Sequence, residues 1–390
     1  MKRPPLARNV KLLAAVSFFT DVSSEMIYPL LPLFLSTVLG TSAAMLGVIE
    51  GVAESVSSLL RLPAGWWSDR AKRRKPLVLF GYGISSLVRP LIGLAQGSGQ
   101  VLAIRVADRF GKGIRSAPRD ALIADSVAAS QRGYAFGLHR SVDHLGAVVG
   151  PLIAWAVLAL GLVEMRGLFL WAVVPGAIAV LLIVFFVRED RVTAVESQAV
   201  PTLAADGAPL GSAFRRYLFV LFLFTLSTST DAFLLLRASQ LGVPTAMVPI
   251  LWAMLHVVKS SAAVVGGGLS DRVGRRPLIL GGWGVYAVVY LGFALASAQW
   301  HAWALFLVYG LYFGMTEGTE KALVADLAPS TRRGAAFGWF NLVIGIGALP
   351  ASVLFGLVWD AAGAPTAFAM GAGIAATAAV LFAILVPARD

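Results

Sequence analysis

Gly65-Trp66-Trp67-Ser68-Asp69-Arg70-Ala71-Lys72-Arg73-Arg74-Lys75-Pro76 returns, little changed, as Gly267-Gly268-Leu269-Ser270-Asp271-Arg272-Val273-Gly274-Arg275-Arg276-Pro277. Each copy is a polar, basic turn between two long apolar runs. The flanking sequence repeats as well. Ala121-Leu122-Ile123-Ala124-Asp125 matches Ala322-Leu323-Val324-Ala325-Asp326, an offset of 201 positions. At the same offset, Arg132-Gly133-Tyr134-Ala135-Phe136-Gly137 matches Arg333-Gly334-Ala335-Ala336-Phe337-Gly338. Self-similarity over this length means a duplicated unit.

Composition gives the setting. Of 390 residues, 58% are hydrophobic and only 14% are charged, with a mean hydropathy of +0.78. A soluble domain is less apolar and carries more charge, so the chain reads as a polytopic membrane protein. Cutting it into runs of ~20 apolar residues gives spans one to six near 11–39, 44–66, 77–96, 100–122, 135–160 and 167–187. Spans seven to twelve follow near 216–238, 246–268, 277–296, 301–322, 335–358 and 364–386. The spans must be helices, because only that keeps their backbone groups satisfied in lipid; the alternating strands of a barrel are not visible. The expected architecture is all-α, with twelve transmembrane helices in two pseudo-symmetric six-helix bundles. The bundles cover 1–187 and 216–390, joined by a cytoplasmic linker at 188–215.

The net charge of +11 follows from topology. Lys2, Arg3, Arg8 and Lys11, both basic turns, Arg132, Arg188, Arg215, Arg216, Arg332, Arg333 and Arg389 fall on one side of the membrane, and Arg166 on the other. The positive-inside rule then makes both termini and the linker cytoplasmic. No nucleic-acid surface is expected, because these charges sit in short turns separated by spans. Asp21 and Glu25 interrupt the first apolar run, which resumes to Leu39. The N-terminus therefore reads as a retained helix, not a signal peptide. With no cysteine, disulfides and thiolate metal sites are excluded. Gly111-Lys112-Gly113 lacks the spacing of a nucleotide loop. No nucleophile triad or metal-hydrolase motif appears, so neither an enzyme nor a resident cofactor or metal is expected. An intramembrane enzyme or a receptor would not require the duplicated unit.

The repeated turn resembles the loop motif of the major facilitator superfamily, Gly-x-x-x-Asp-Arg-x-Gly-Arg-Arg. Gly267, Asp271, Arg272, Gly274, Arg275 and Arg276 carry it in full, and Gly65, Asp69, Arg70, Arg73 and Arg74 carry it with Lys72 in place of the second glycine. The family's fourth-span motif Arg-x-x-x-Gly-x-Gly is met by Arg109 and Gly113, while Arg115 stands at the second glycine. The resemblance implies two six-helix bundles rocking around a central cavity. With parallel repeats, a solute site at mid-membrane is the expected geometry.

Charges inside the spans then become the candidates, since a charge facing lipid costs at least ~2.5–3.5 kcal/mol. On span four, Arg105, Asp108, Arg109, Lys112, Arg115, Ser116 and Arg119 share one helical face. That face could bind an anionic or zwitterionic solute, or pair with carboxylates on neighbouring spans. Arg109, Lys112, Arg115, Arg140, Asp231 and Glu317 are the expected substrate contacts. Asp21 and Glu25, one turn apart on span one, resist ionising together in a low dielectric. With Glu54 and Asp143 they are the expected proton-coupling acids; the alternative is that they only neutralise Arg109 or Arg140.

The expected gate is Asp69, Arg70 and Arg73 with Asp271, Arg272 and Arg275, the acids facing helix N-termini. The repeat also sets Arg119-Asp120 over Glu320-Lys321 with signs inverted, which suggests a tie between bundles. Asp143 and His144 beside Asp21 and Glu25 offer a divalent-metal alternative. Gly65, Gly81 and Gly83 match Gly267, Gly282 and Gly284 and are expected at close helix contacts.

These readings converge on a secondary transporter of a small molecule or ion. It is expected to be proton-coupled, an exporter by antiport, monomeric, and multi-pass in the inner (plasma) membrane. Uptake of an anionic metabolite by proton symport and export of a divalent metal are the alternatives.

Overall fold

The computed structural model describes residues 7–70, 73–127, 132–188, 211–328 and 333–386. Those residues are almost wholly helical, without a β-strand. Span two is Ala43–Arg70, span four Ser98–Asp125, span five Arg132–Ala159, span nine Arg275–Leu295 and span ten Gln299–Leu327. Spans eleven and twelve lie in Arg333–Leu385, divided at Gly363, whose φ of 83° is open to glycine. Among the described residues, eight stretches are long and apolar enough to cross a membrane, Ala336–Leu385 among them with 50 residues. Spans one, four and ten fall outside that set. They are the spans that carry Asp21 and Glu25, the cationic stripe, and Glu317, Glu320 and Lys321.

Four spans expected as unbroken are not. Span one is helical over Arg8–Glu25, then passes through Tyr28–Leu30 and Leu31–Leu33 into a π-helical turn at Phe34–Val38. Pro29 has no N–H to give the Glu25 carbonyl, which ends the first helix there. Span three is Lys75–Val88 and tightens to a 3-10 turn over Arg89–Leu94, entered through Pro90. Span six divides into Met165–Trp171 and Val173–Phe185. Span seven is Ser212–Ser227 and Ala232–Gln240. Its break is made by polar side chains that compete for the backbone: Ser227 Oγ donates to the Phe224 carbonyl and Thr228 Oγ1 to that of Thr225. Span eight is Val248–Val273, preceded by the turn Thr245–Met247. Span four runs as one helix through Pro118.

The chain divides into two compact units. Unit 1 is Met1–Leu39, Val56–Val195 and Thr245–Ala253; unit 2 is Gly40–Ser55, Glu196–Pro244 and Met254–Asp390. The first turns of spans two and eight, related by the repeat, are each grouped with the other half's helices. Most of the expected linker 188–215 lies outside the described residues.

Close approach uses particular glycines. A Cβ on Gly81 would sit 2.5 Å from the Gly111 carbonyl oxygen, and one on Gly282 would sit 2.5 Å from Thr316 Cγ2. Gly83 and Gly284, expected in the same role, face open space, with nothing within 4 Å. They lie two residues on, about 200° around the helix from the packed face.

Candidate functional site

In unit 1 the site is built on the broken end of span one. Gly146 and Gly150, four apart on span five, face Asp21 and Glu25, four apart on span one. A Cβ on Gly146 would meet the Phe18 carbonyl oxygen at 2.7 Å and Asp21 Cβ at 3.1 Å; one on Gly150 would meet the Val22 oxygen at 2.7 Å and Glu25 Cβ at 3.0 Å. Both acids are thus pressed against helix backbone. Glu25 Oε2 accepts a hydrogen bond from Trp252 Nε1 at 2.8 Å. The indole packs on Tyr28, 5.2 Å between centroids, and the Arg105 guanidinium lies 5.7 Å from the Tyr28 ring centre. Lys112, Arg109 and Arg89 act on Glu25 electrostatically, and Lys112, Arg115 and Arg119 on Asp21. Asp143 completes the acidic group through its interaction with Asp21 and lies 3.4 Å from His139 Nδ1.

Behind this face runs a buried network that the span-four stripe alone did not indicate. Arg89 and Asp108, each 3% exposed, pair at 2.8 Å. Arg89 Nη1 also donates to the Thr20 carbonyl and Ser23 Oγ, at 3.1 and 3.2 Å. Arg105 lies 3.6 Å from the other Asp108 oxygen. Arg115, expected at the substrate, is buried against span three. It donates to Ser85 Oγ at 2.7 Å and lies over the Tyr82 ring at 4.4 Å. Arg119 bonds Asp120 at 2.9 Å and Ser17 at 3.3 Å, and Ser17 shares a 3.2 Å bond with Tyr82. Arg140 is exposed on span five.

Unit 2 repeats the plan with aromatic groups. At the 201 offset, Tyr82 becomes Trp283, Arg89 becomes Tyr290, Asp108 becomes Tyr309 and Arg119 becomes Glu320. Trp283 Nε1 donates to Glu320 at 2.9 Å. Tyr309 Oη donates to Asp231 at 2.7 Å, and Tyr290 shares a 3.0 Å bond with Ser229. Tyr286 Oη donates to the Ser227 carbonyl at 3.0 Å. The break in span seven is therefore held by three tyrosines. Lys259 lies 3.7 Å from Glu317 and 4.0 Å from the Phe313 ring centre. Glu54 belongs to this unit and interacts with Asp231.

The repeated turns tie each half internally. Arg74 pairs with Asp125, and Arg275 with Asp326 at 3.5 Å. The next cation in each copy reaches the C-terminal carbonyls of the last span: Lys75 donates to Val184 at 3.1 Å and Val187 at 2.7 Å, and Arg276 to Ala383. Arg73 and Arg272 are exposed, while the side chains of Asp69, Arg70 and Asp271 lie outside those described. Lys321 is exposed on span ten. Among the described residues no group of three or more His, Asp or Glu side chains is placed to hold a metal ion, so Asp21, Glu25, Asp143 and His144 do not form a ligand set.

The expected substrate and coupling residues thus fall into two sets: Asp21, Glu25, Asp143, Arg109, Lys112, Arg115 and Arg140 in unit 1, and Glu54, Asp231 and Glu317 in unit 2. Sequence reasoning missed Trp252, Trp283 and the tyrosines, and left Arg89 without a role. The repeat offset was the available signal, since it aligns Arg89 and Asp108 with Tyr290 and Tyr309.

The Major Facilitator Superfamily description matches residues 13–349. An uncharacterized MFS-type transporter of Methanocaldococcus jannaschii is 32% identical over 360 residues, 91% of this chain and 89% of that protein. The multidrug resistance protein MdtG of Proteus mirabilis is 26% identical over 328 residues, 80% of each chain. Among solved structures, a POT family transporter in complex with 5-aminolevulinic acid superposes with a TM-score of 0.82 at 13% identity, covering 98% of this chain and 96% of that one.

Proposed function

The chain belongs to the Major Facilitator Superfamily, a multi-pass membrane transporter and not an enzyme, and on that premise we propose that it exports a small solute by proton antiport. The observation that carries this reading is the placement of Asp21 and Glu25. They lie one turn apart where span one breaks, pressed against Gly146 and Gly150, with Lys112 acting on both and Arg109 on Glu25. A carboxylate in such a place holds its charge only while a cation or donor compensates it. Proton uptake and loss at Glu25, with Asp21 and Asp143 as its partners, would therefore change what the span-four cations can bind. Arg109, Lys112, Asp231 and Glu317 are the proposed substrate contacts. Glu54, through Asp231, is the proposed acid of the second unit. Arg119, Asp120, Glu320, Lys321 and the repeated turns are the proposed gate.

Export is supported by the MdtG relatives, named for multidrug resistance. The basic turns support an orientation with both termini on the cytoplasmic face of the inner membrane. The protein is proposed to act as a monomer. Uptake of an anionic solute by symport is the second reading, favoured by the cationic character of Arg109 and Lys112.

The test uses everted membrane vesicles, acidified inside and loaded with a pH-sensitive acridine dye. A panel of organic cations and anions is added in turn. Antiport predicts recovery of dye fluorescence with at least one compound in vesicles holding the protein and not in control vesicles. Recovery with none, alongside proton-driven uptake of an anion into right-side-out vesicles, would replace antiport by symport.

A further inference from the structure

The first turn of span two is capped twice. Ser42, the residue just before the helix, accepts from Met45 N–H with its hydroxyl at 3.2 Å, as a local cap does. The Asp360 carboxylate takes the next two free N–H groups, Ala43 at 2.9 Å and Ala44 at 2.8 Å. It reaches them from 317 and 316 residues away in the chain. Charge-assisted bonds of this kind are about twice as strong as neutral ones, and the helix N-terminus adds its dipole.

The contact continues along the helix in a four-residue rhythm. A Cβ on Gly356 would sit 2.4 Å from the Ala43 oxygen, one on Gly47 2.2 Å from the Ser352 oxygen, and one on Gly51 3.0 Å from Leu349 Cα. Ser55 Oγ closes the series on the Gly345 carbonyl at 2.8 Å. It ends where the grouping of the helix changes: Gly40–Ser55 belongs with unit 2 and the residues from Val56 onward with unit 1. The segment lies backbone to backbone against span eleven and is held by directional bonds at its two ends, by Asp360 at its first turn and by Ser55 at its last. The repeat has no equivalent on the other side. Ala159 stands 201 positions before Asp360, and the matching turn Thr245–Met247 packs against span five with no acid at that place.

We propose that Asp360 is a latch that holds residues 43–55 of span two in unit 2, and that release of its two backbone bonds is a step of the transport cycle. The latch lies at the end of span two remote from the basic turn, and it stands whether or not Glu25 carries a proton.

The chain has no cysteine, so an introduced thiol is the sole label site. Ser352, 3% exposed, lies under Gly47 and reports departure of the segment. Ser23, wholly buried in unit 1, reports general loosening. Each is replaced by cysteine in the full-length protein in proteoliposomes and labelled with a water-soluble methanethiosulfonate reagent. Asp360→Asn keeps the shape but offers one acceptor and a donor, so it should speed labelling at position 352 about tenfold, the loss of one charge-assisted bond. Labelling at position 23 should stay unchanged, and Asp360→Glu should restore slow labelling. Equal rates at 352 in the Asp and Asn proteins would overturn the latch, as would equal acceleration at 352 and 23.

Discussion

The indole of Trp252, on span eight, donates a 2.8 Å hydrogen bond to the Glu25 carboxylate at the end of the first helix of span one. Trp252 is 4% exposed, so no water replaces the donor at low cost. Trp252→Phe keeps the ring against Tyr28 and removes only the N–H. A hydrogen bond to a charged acceptor contributes about 1.5–3 kcal/mol. Initial transport rates at a fixed pH gradient should fall about tenfold, the lower end of that range, with expression unchanged. Rates equal to those of the unsubstituted protein would remove Trp252 from the coupling site.

Arg89 and Asp108 should behave as one unit. Removing either partner leaves an uncompensated buried charge, which costs about 3–5 kcal/mol. Asp108→Ala should therefore lower the thermal unfolding midpoint in detergent sharply. The double substitution Arg89→Met with Asp108→Leu should recover part of that loss, because Arg89 leaves with its partner while Arg105, 3.6 Å from Asp108, stays. Two single losses that simply add in the double variant would show that the pair is not coupled.

Gly150→Leu should abolish transport and reduce folded yield. Even a methyl there meets the Val22 carbonyl oxygen at 2.7 Å, and helix backbones cannot give way cheaply. Gly83→Leu, with nothing within 4 Å, should be tolerated in both respects. A size-exclusion profile with transport initial rates checks the pair. The account would be in error if both glycines proved equally sensitive.

Arg275 and Asp326 test whether the repeated turn ties each half internally. The pair is 3.5 Å apart and partly exposed, so its stability contribution is at most ~1 kcal/mol. Exchanging the charges, Arg275→Asp with Asp326→Arg, should restore transport relative to either single change. A double variant no better than the singles would show that Arg275 acts through another group.

Most of the twelve-span plan was legible because membrane helices announce themselves by length and apolarity; the charged spans one, four and ten fall short of that measure, and the duplicated turn pointed to the pseudo-symmetry. The span-one acids were legible because charge in lipid is costly. The break after Glu25 was legible in principle: Pro29 stands four residues on, where its ring removes the donor to that carbonyl. Trp252 was not, since a tryptophan in an apolar span looks like packing until its N–H finds an acceptor. Arg115 looked like a cavity cation from helical phase alone. Its neighbours Tyr82 and Ser85 lie on a different helix, and periodicity within one span says nothing about which partner faces it.

The account rests on Glu25 as the proton carrier, and the most direct measurement is dye recovery in acidified everted vesicles with Glu25→Gln, on a compound that the unsubstituted protein moves. Binding of that compound is followed in parallel by thermal shift. The glutamine keeps size and hydrogen bonding and cannot titrate. The account predicts retained binding with no recovery of fluorescence. Recovery at the unsubstituted rate, with binding intact, would contradict it.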